Sequence, residues 1–149
     1  MQNLLTCADA SMVAKLILVE ADSGRAVQRW ETWLNASQTI CAPQLLTYEV
    51  ASVLRLRVWR KLLTRQEAAR AFQDFLALDI AITDPPGLGM RALEIAHQFN
   101  RPNAYDSHFL ALAETLDCEL WTADERLYNA VKGELAWVRW LGAWETDGQ

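Results

Sequence analysis

An α/β fold, with helices layered around a mainly parallel central sheet, is predicted by three features of the 149-residue sequence. Short apolar runs of strand length alternate with longer stretches of helical periodicity, the pattern of strand–helix–strand crossover units. Cap and turn signals separate them: Asp9-Ala-Ser11, Pro43, Thr64-Arg-Gln-Glu67 and Pro85-Pro86-Gly87. No repeat, low-complexity run or linker divides the chain. Residues 1–149 therefore read as one domain, with a core from about 3 to 141 and a polar tail after about 144.

The elements follow in order. Leu4–Ala8 reads as a buried strand, and Asp9 or Ser11 then caps a short helix reaching about Val19. After a turn at Ala21–Gly24, a second helix places Ala26, Val27, Trp30, Trp33 and Leu34 on one face and stops near Asn35-Ala-Ser37. Thr39–Ala42 is a short strand. Pro43 suits the first turn of a long helix, where its missing N–H would be unpaired anyway, and the apolar pattern runs on to Leu63. Thr64 and Glu67 form a capping box that starts the next helix, which reaches about Leu78. Ile80–Thr83 is a strand, and Pro85-Pro86-Gly87 breaks the chain before a helix ending near Phe99. Tyr105–Leu116 is helical, Glu119–Thr122 a strand, Asp124–Val131 a short helix and Trp137–Trp140 a last strand.

Composition narrows the function classes. With 52% hydrophobic and 22% charged residues the chain builds an ordinary core, which excludes disordered, collagen-like and coiled-coil readings. Its longest nearly apolar stretches, Met12–Val19 and Leu76–Ile82, are far shorter than a membrane span and each carries a charge. No membrane partner is expected, and with no signal-like N-terminus the expected location is cytoplasmic. Cys7, Cys41 and Cys118 are odd in number and lack C-x-x-C spacing, which argues against a disulfide framework or a zinc site and for small buried hydrophobes. A net charge of −5 supplies no global attraction for nucleic acid, so any such affinity is local.

Ligands of parallel sheets collect where strands end and the following helices begin. Asp9 follows the first strand and Asp124 the fourth, so both lie at that edge. Glu49 sits in the largely apolar Leu45–Leu56 stretch, and Asp106 in the first turn of the helix carrying Phe109, Leu110, Leu112 and Ala113. Singly, each has a structural explanation: Asp9, Asp106 and Asp124 as helix N-terminal residues, Glu49 as a solvated helix position.

Taken together, the local contexts resemble the PIN-domain nuclease family, and in particular its small VapC-like members. Asp9-Ala-Ser-Met-Val-Ala-Lys-Leu is similar to the family's opening aspartate motif, and Ala42-Pro-Gln-Leu-Leu-Thr-Tyr-Glu-Val-Ala-Ser-Val-Leu to its glutamate segment. Ala104-Tyr-Asp-Ser-His-Phe-Leu-Ala-Leu-Ala-Glu and Leu120-Trp-Thr-Ala-Asp-Glu-Arg-Leu are similar to the third and fourth acidic motifs. The resemblance spans residues 3–141 and implies a three-layer α/β/α PIN-like sandwich. It also implies a divalent-metal-dependent endoribonuclease with a site at Asp9, Glu49, Asp106 and Asp124, and a toxin of a VapBC-type toxin–antitoxin pair. Four converging carboxylates repel one another unless a hard cation such as Mg²⁺ (or Mn²⁺) joins them, so the chemistry agrees with the implied cofactor. Asp9 and Asp106 rank first as direct ligands, with Glu49 and Asp124 acting directly or through water. Ser11 and Thr122 are supporting hydroxyls that orient a carboxylate or water, or else ordinary caps.

The implied partners are an RNA substrate, an antitoxin protein and a second copy in a homodimer, for which the apolar faces within Leu45–Leu63 are available. Arg55, Arg57, Arg60, Lys61 and Arg65 place five positive charges and no acid in eleven residues, which makes them candidates for the RNA backbone or for an acidic protein partner. Trp59 among them offers a ring for base stacking, although the seven tryptophans are explained first by packing, with Trp137, Trp140 and Trp144 docking the C-terminus or a dimer contact. His97 and His108 have no metal-ligand spacing, and Glu20 reads as a solvated loop charge. Two rivals remain: a non-catalytic PIN-fold module that binds RNA or protein, and a haloacid-dehalogenase-type phosphatase. The second lacks its Asp-x-Asp pair in Asp9-Ala-Ser11.

Overall fold

Strand β1 (Leu5–Ala8) lies at the centre of a five-stranded sheet in the computed structural model, which describes residues 4–145. Around it come α1 (Ala10–Ile17), α2 (Ser23–Asn35), β2 (Thr39–Ala42), α3 (Leu45–Trp59), α4 (Arg65–Ala77), β3 (Ile80–Ile82) and α5 (Leu88–Gln98). Then follow α6 (Tyr105–Leu116), β4 (Glu119–Thr122), α7 (Glu125–Val131), β5 (Val138–Trp140) and a 3₁₀ turn over Leu141–Ala143. The order across the sheet is β3-β2-β1-β4-β5, and all four pairings are parallel. The predicted α/β class is what forms, a three-layer α/β/α sandwich. The start of the predicted core at residue 3 and the tail beyond residue 145 lie outside the described residues.

Parallel pairing requires a helical crossover after each strand, so both faces of the central strands are covered and their sequences turn almost wholly apolar. Cys7 and Ala8 of β1, Ile40, Cys41 and Ala42 of β2 and Leu120 and Trp121 of β4 are all buried. The edge strands differ: Ala81 and Ile82 of β3 and Arg139 of β5 face solvent. Helices α1 to α4 pack on one another, α5 packs on α6, and α6 lies against β1 and β4. All three cysteines are free and buried, and the Cys7 and Cys118 sulfurs approach to 3.6 Å.

Local signals behave as predicted where they are self-contained. Thr64 Oγ1 accepts from Glu67 N at 3.0 Å while Thr64 N donates to Glu67 Oε1 at 2.9 Å, the reciprocal box that starts α4. Pro43 precedes α3 and its carbonyl accepts from Leu46 N at 3.0 Å. Two sequence expectations are corrected. On α2 the buried stripe is Ala26, Trp30 and Trp33, whereas Val27 and Leu34 are 40% and 52% exposed. Those two share the flank of the stripe, and an outer-layer helix presents only a narrow face to the core. Helix α3 stops at Trp59 although the apolar pattern continues to Leu63. There Lys61 takes a left-handed conformation (φ 60°) and Leu62 N returns to the Arg57 carbonyl at 2.8 Å.

Candidate active site

The order β3-β2-β1-β4-β5 makes β1 the strand from which the chain departs in both directions, so the crevice beyond the carboxyl ends of β1 and β4 is the topological switch point. Asp9 leaves β1 there and caps α1. Its Oδ1 accepts from Ser11 Oγ at 2.6 Å and from Met12 N at 3.1 Å. Asp124 stands at the equivalent point after β4 and caps α7, with Oδ1 accepting from Arg126 N at 2.9 Å and Leu127 N at 3.3 Å. The two carboxylates therefore are helix caps. The backbone bonds of both carboxylates and the serine bond of Asp9 fall on Oδ1.

Ser11 and Thr122 tie the two strand ends together. Ser11 Oγ, its single proton given to Asp9, accepts from Ala123 N at 2.8 Å. It lies 3.2 Å from Thr122 Oγ1, which accepts from Asp124 N at 3.0 Å. Thr122 also hydrogen-bonds the Asp9 carboxylate, which lowers its pKa. One network thus fixes the spacing of Asp9 and Asp124.

Glu49 on α3 and Asp106 in the first turn of α6 complete the group. Burial pushes Asp9 up to about 6, opposed by its hydrogen bonds and reinforced by the charge of Asp106. Burial likewise pushes Glu49 up to about 7, with Asp106 and Asp9 adding to it. Asp106 is raised by burial, lowered by Arg101 and raised again by Asp124. Asp106 is thus coupled to each of the other three, which places all four predicted acids in one electrostatic cluster.

Two features were not legible in the sequence. Arg101 Nη2 reaches Asp106 Oδ2 at 3.3 Å, putting a cation within the acidic group. The loop that carries it is set by Asn100 in a left-handed conformation (φ 52°) and by Arg101 N bonded to the Ala96 carbonyl at 2.8 Å. Nothing in its spacing from Asp106 announces this. Glu20, read as a solvated charge, is instead 18% exposed in its side chain and pairs with both Lys15 (3.2 Å) and Arg57. The turn after α1 folds it against α3, so Arg57 is neutralised while Arg55, Arg60, Lys61 and Arg65 stay exposed. His108 Nδ1 contacts the Ala104 carbonyl at 2.6 Å, at the start of α6.

The donor set suits a hard divalent cation: four carboxylates, no thiolate, two of them buried enough to resist ionisation when alone. No three His, Cys, Asp or Glu side chains among the described residues form a ready-made cage. Magnesium does not need one, since it commonly binds through one or two carboxylates and keeps several waters.

A parallel α/β sandwich with four coupled acids at its switch point defines a class, and the chain belongs to it: the PIN domain family, whose sequence model matches residues 7–133. That span contains all four acids. Over 94 residues the chain is 37% identical to VapC ribonuclease Mb0985 of Mycobacterium bovis and to ribonuclease VapC9 of Mycobacterium tuberculosis, covering 63% of this chain and 72% of theirs. The fold is also similar to the crystal structure of PAE2754 from Pyrobaculum aerophilum, with a TM-score of 0.62 at 22% identity over 86% of each chain.

Proposed function

We propose that this chain is a divalent-metal-dependent endoribonuclease hydrolysing RNA phosphodiester bonds, and the toxin half of a VapBC-type toxin–antitoxin pair. The observation that carries the reading is the coupling of Asp106 to Asp9, Glu49 and Asp124 at the carboxyl edge of the sheet. The names and 37% identity of the VapC relatives support the choice of RNA as substrate.

Asp9 and Asp106 would hold the metal first, with Glu49 and Asp124 supporting it. A bound Mg²⁺ or Mn²⁺ polarises a phosphate oxygen and lowers the pKa of water. Ser11 and Thr122 keep Asp9 and Asp124 in register, and Arg101 holds Asp106. Arg55, Arg60 and Lys61, free of acidic partners, contact the RNA backbone, whereas Arg57 is held by Glu20. One domain over residues 1–149, a homodimer and an antitoxin carrying a basic side chain to the acids belong to the same reading. The exposed Met90 and Leu93 of α5 offer apolar surface for a second copy. No helix among the described residues is long and apolar enough to cross a membrane. A cytoplasmic location fits a toxin that must meet its RNA.

The test is cleavage of a panel of structured RNAs by wild type and Asp106→Asn, each with Mg²⁺, Mn²⁺ or EDTA. Metal-dependent cutting by wild type alone is expected. No cutting together with no Mn²⁺ binding by calorimetry overturns the reading in favour of a binding module.

A further inference from the structure

Of the tryptophans, Trp30, Trp33 and Trp121 are buried and Trp140 stacks on Tyr128 at 5.8 Å, but Trp59 is 72% exposed at the last turn of α3. A solvent-facing indole has no packing role to explain it. Tyr48, Ser52, Arg55 and Trp59 recur at the spacing of a single helix stripe, and all four are exposed. Arg55 lies over the Trp59 ring with its guanidinium 5.6 Å from the ring centre. Beside the stripe a groove of about 520 Å³ is lined by Ala51, Ser52, Arg55, Leu56 and Trp59.

The stripe has a direction. Tyr48 adjoins Glu49 of the acidic cluster, and Trp59 lies about 16 Å further along the helix axis. Around its far end Arg55, Arg60, Lys61 and Arg65 are exposed, and none has an acid within ion-pair distance among the described residues. Four unpaired cations on a chain of net charge −5 are complementary to a polyanion. Two aromatic rings separated by a hydroxyl and a guanidinium match a strand whose bases are unstacked and whose phosphates are accessible.

Resting on the ribonuclease reading above, we infer that the outer stripe of α3 is a single-stranded RNA subsite, in which Trp59 stacks on a base of the segment leading away from the acids. Arg55 braces the ring and, with Arg60, takes flanking phosphates. Trp59 is a positioning residue: it holds the strand and touches none of the reacting atoms. Stacking reads every base alike, so the subsite selects for an unpaired segment rather than for a sequence.

The experiment measures fluorescence anisotropy of a labelled mixed-sequence 12-nucleotide single-stranded RNA and of its duplex with the Asp106→Asn protein, at several salt concentrations. Trp59→Ala in that background should weaken single-strand binding about tenfold, and Trp59→Phe should restore most of it. The salt slope should stay unchanged in Trp59→Ala and fall by about 0.7 in Arg60→Ala, because only the second removes a phosphate contact. Equal affinity of Trp59→Ala and its parent overturns the inference. A change in sedimentation mass without loss of RNA affinity overturns it too, since the stripe would then be a contact between copies. Metal-dependent cleavage by wild type that is indifferent to Trp59 removes this subsite and leaves the ribonuclease reading intact. Trp59-dependent binding without any cleavage supports the subsite and removes the ribonuclease reading.

Discussion

Asp9, Glu49 and Asp124 are each coupled electrostatically to Asp106, and the one cation hydrogen-bonded to any of the four among the described residues is Arg101. A second region treats charge in the opposite way. Where α2 meets β4 and the C-terminal segment, Arg29 stands over the rings of Trp121 (4.3 Å), Trp144 (5.3 Å) and Trp33 (5.4 Å). Its Nε is buried without a hydrogen-bond partner, so the ring faces are what accommodate the cation. Trp33 meets Trp30 and Trp121 edge-on at 5.6 and 5.8 Å, adding favourable aromatic geometry. Burial lowers the pKa of Arg29, a cost that the charge of Glu119 and three ring faces offset within the fold, whereas the acids at the sheet edge burden one another with one cation between them. That burden makes sense only where a missing positive charge is to be supplied from outside.

The largest effect expected from this contrast is on activity at the acidic edge. Asp106→Asn keeps the shape of the side chain and removes the charge coupled to the other three acids. Cleavage should fall on the order of a thousandfold, since metal-borne charge stabilisation is worth several kcal/mol. Single-turnover assays in Mg²⁺ measure it, and the urea midpoint should not fall.

Trp33→Ala tests the other region and should reverse that pattern. Deleting a buried indole costs about 3 kcal/mol in stability, read by urea unfolding, while single-turnover cleavage by the remaining folded protein stays near wild type. A loss of stability in Asp106→Asn matching that of Trp33→Ala would dissolve the distinction between the two regions.

A smaller effect sharpens it through pH. Glu49 holds its proton to about pH 7 in the native protein, well above an ordinary carboxyl. Between the ordinary value and about 7 the native state therefore binds more protons than the unfolded chain, and stability falls as pH rises through that window. Glu49→Gln should abolish part of this slope and raise the metal-free melting temperature by a few degrees at pH 8, with little change at pH 4. Scanning calorimetry in EDTA at the two pH values decides it.

The smallest expected effect concerns Arg101. If the guanidinium is a resident counter-ion, Arg101→Ala should bind Mn²⁺ about fivefold more tightly, as a like charge at the site is removed. Calorimetric titration showing weaker binding would mean that Arg101 instead orients Asp106 for the metal.

Most of the order of the fold was legible in the sequence because it rests on short-range rules. The Thr64–Glu67 box, the exact bounds of α6 and the alternation of strands with helices depend on neighbours within a few residues. Errors arose where a flank faces solvent or a turn intervenes, as with Val27, Leu34 and the end of α3. The four acids were legible as candidates through their motifs, and Asp9 and Asp124 through their position after strands. The pairing of Glu20 with Arg57 was not legible because it joins residues far apart in sequence.

By itself the sequence determined the α/β class, the order of its elements and which carboxylates stand at helix starts, since periodicity and capping are local. Only the tertiary structure decided that Asp106 is coupled to the three other acids, that Arg101 is its counter-ion, and that Trp59 alone among the tryptophans is exposed. Electrostatic coupling and burial depend on distance in space, and that distance is set by how the parallel sheet brings remote segments to one edge.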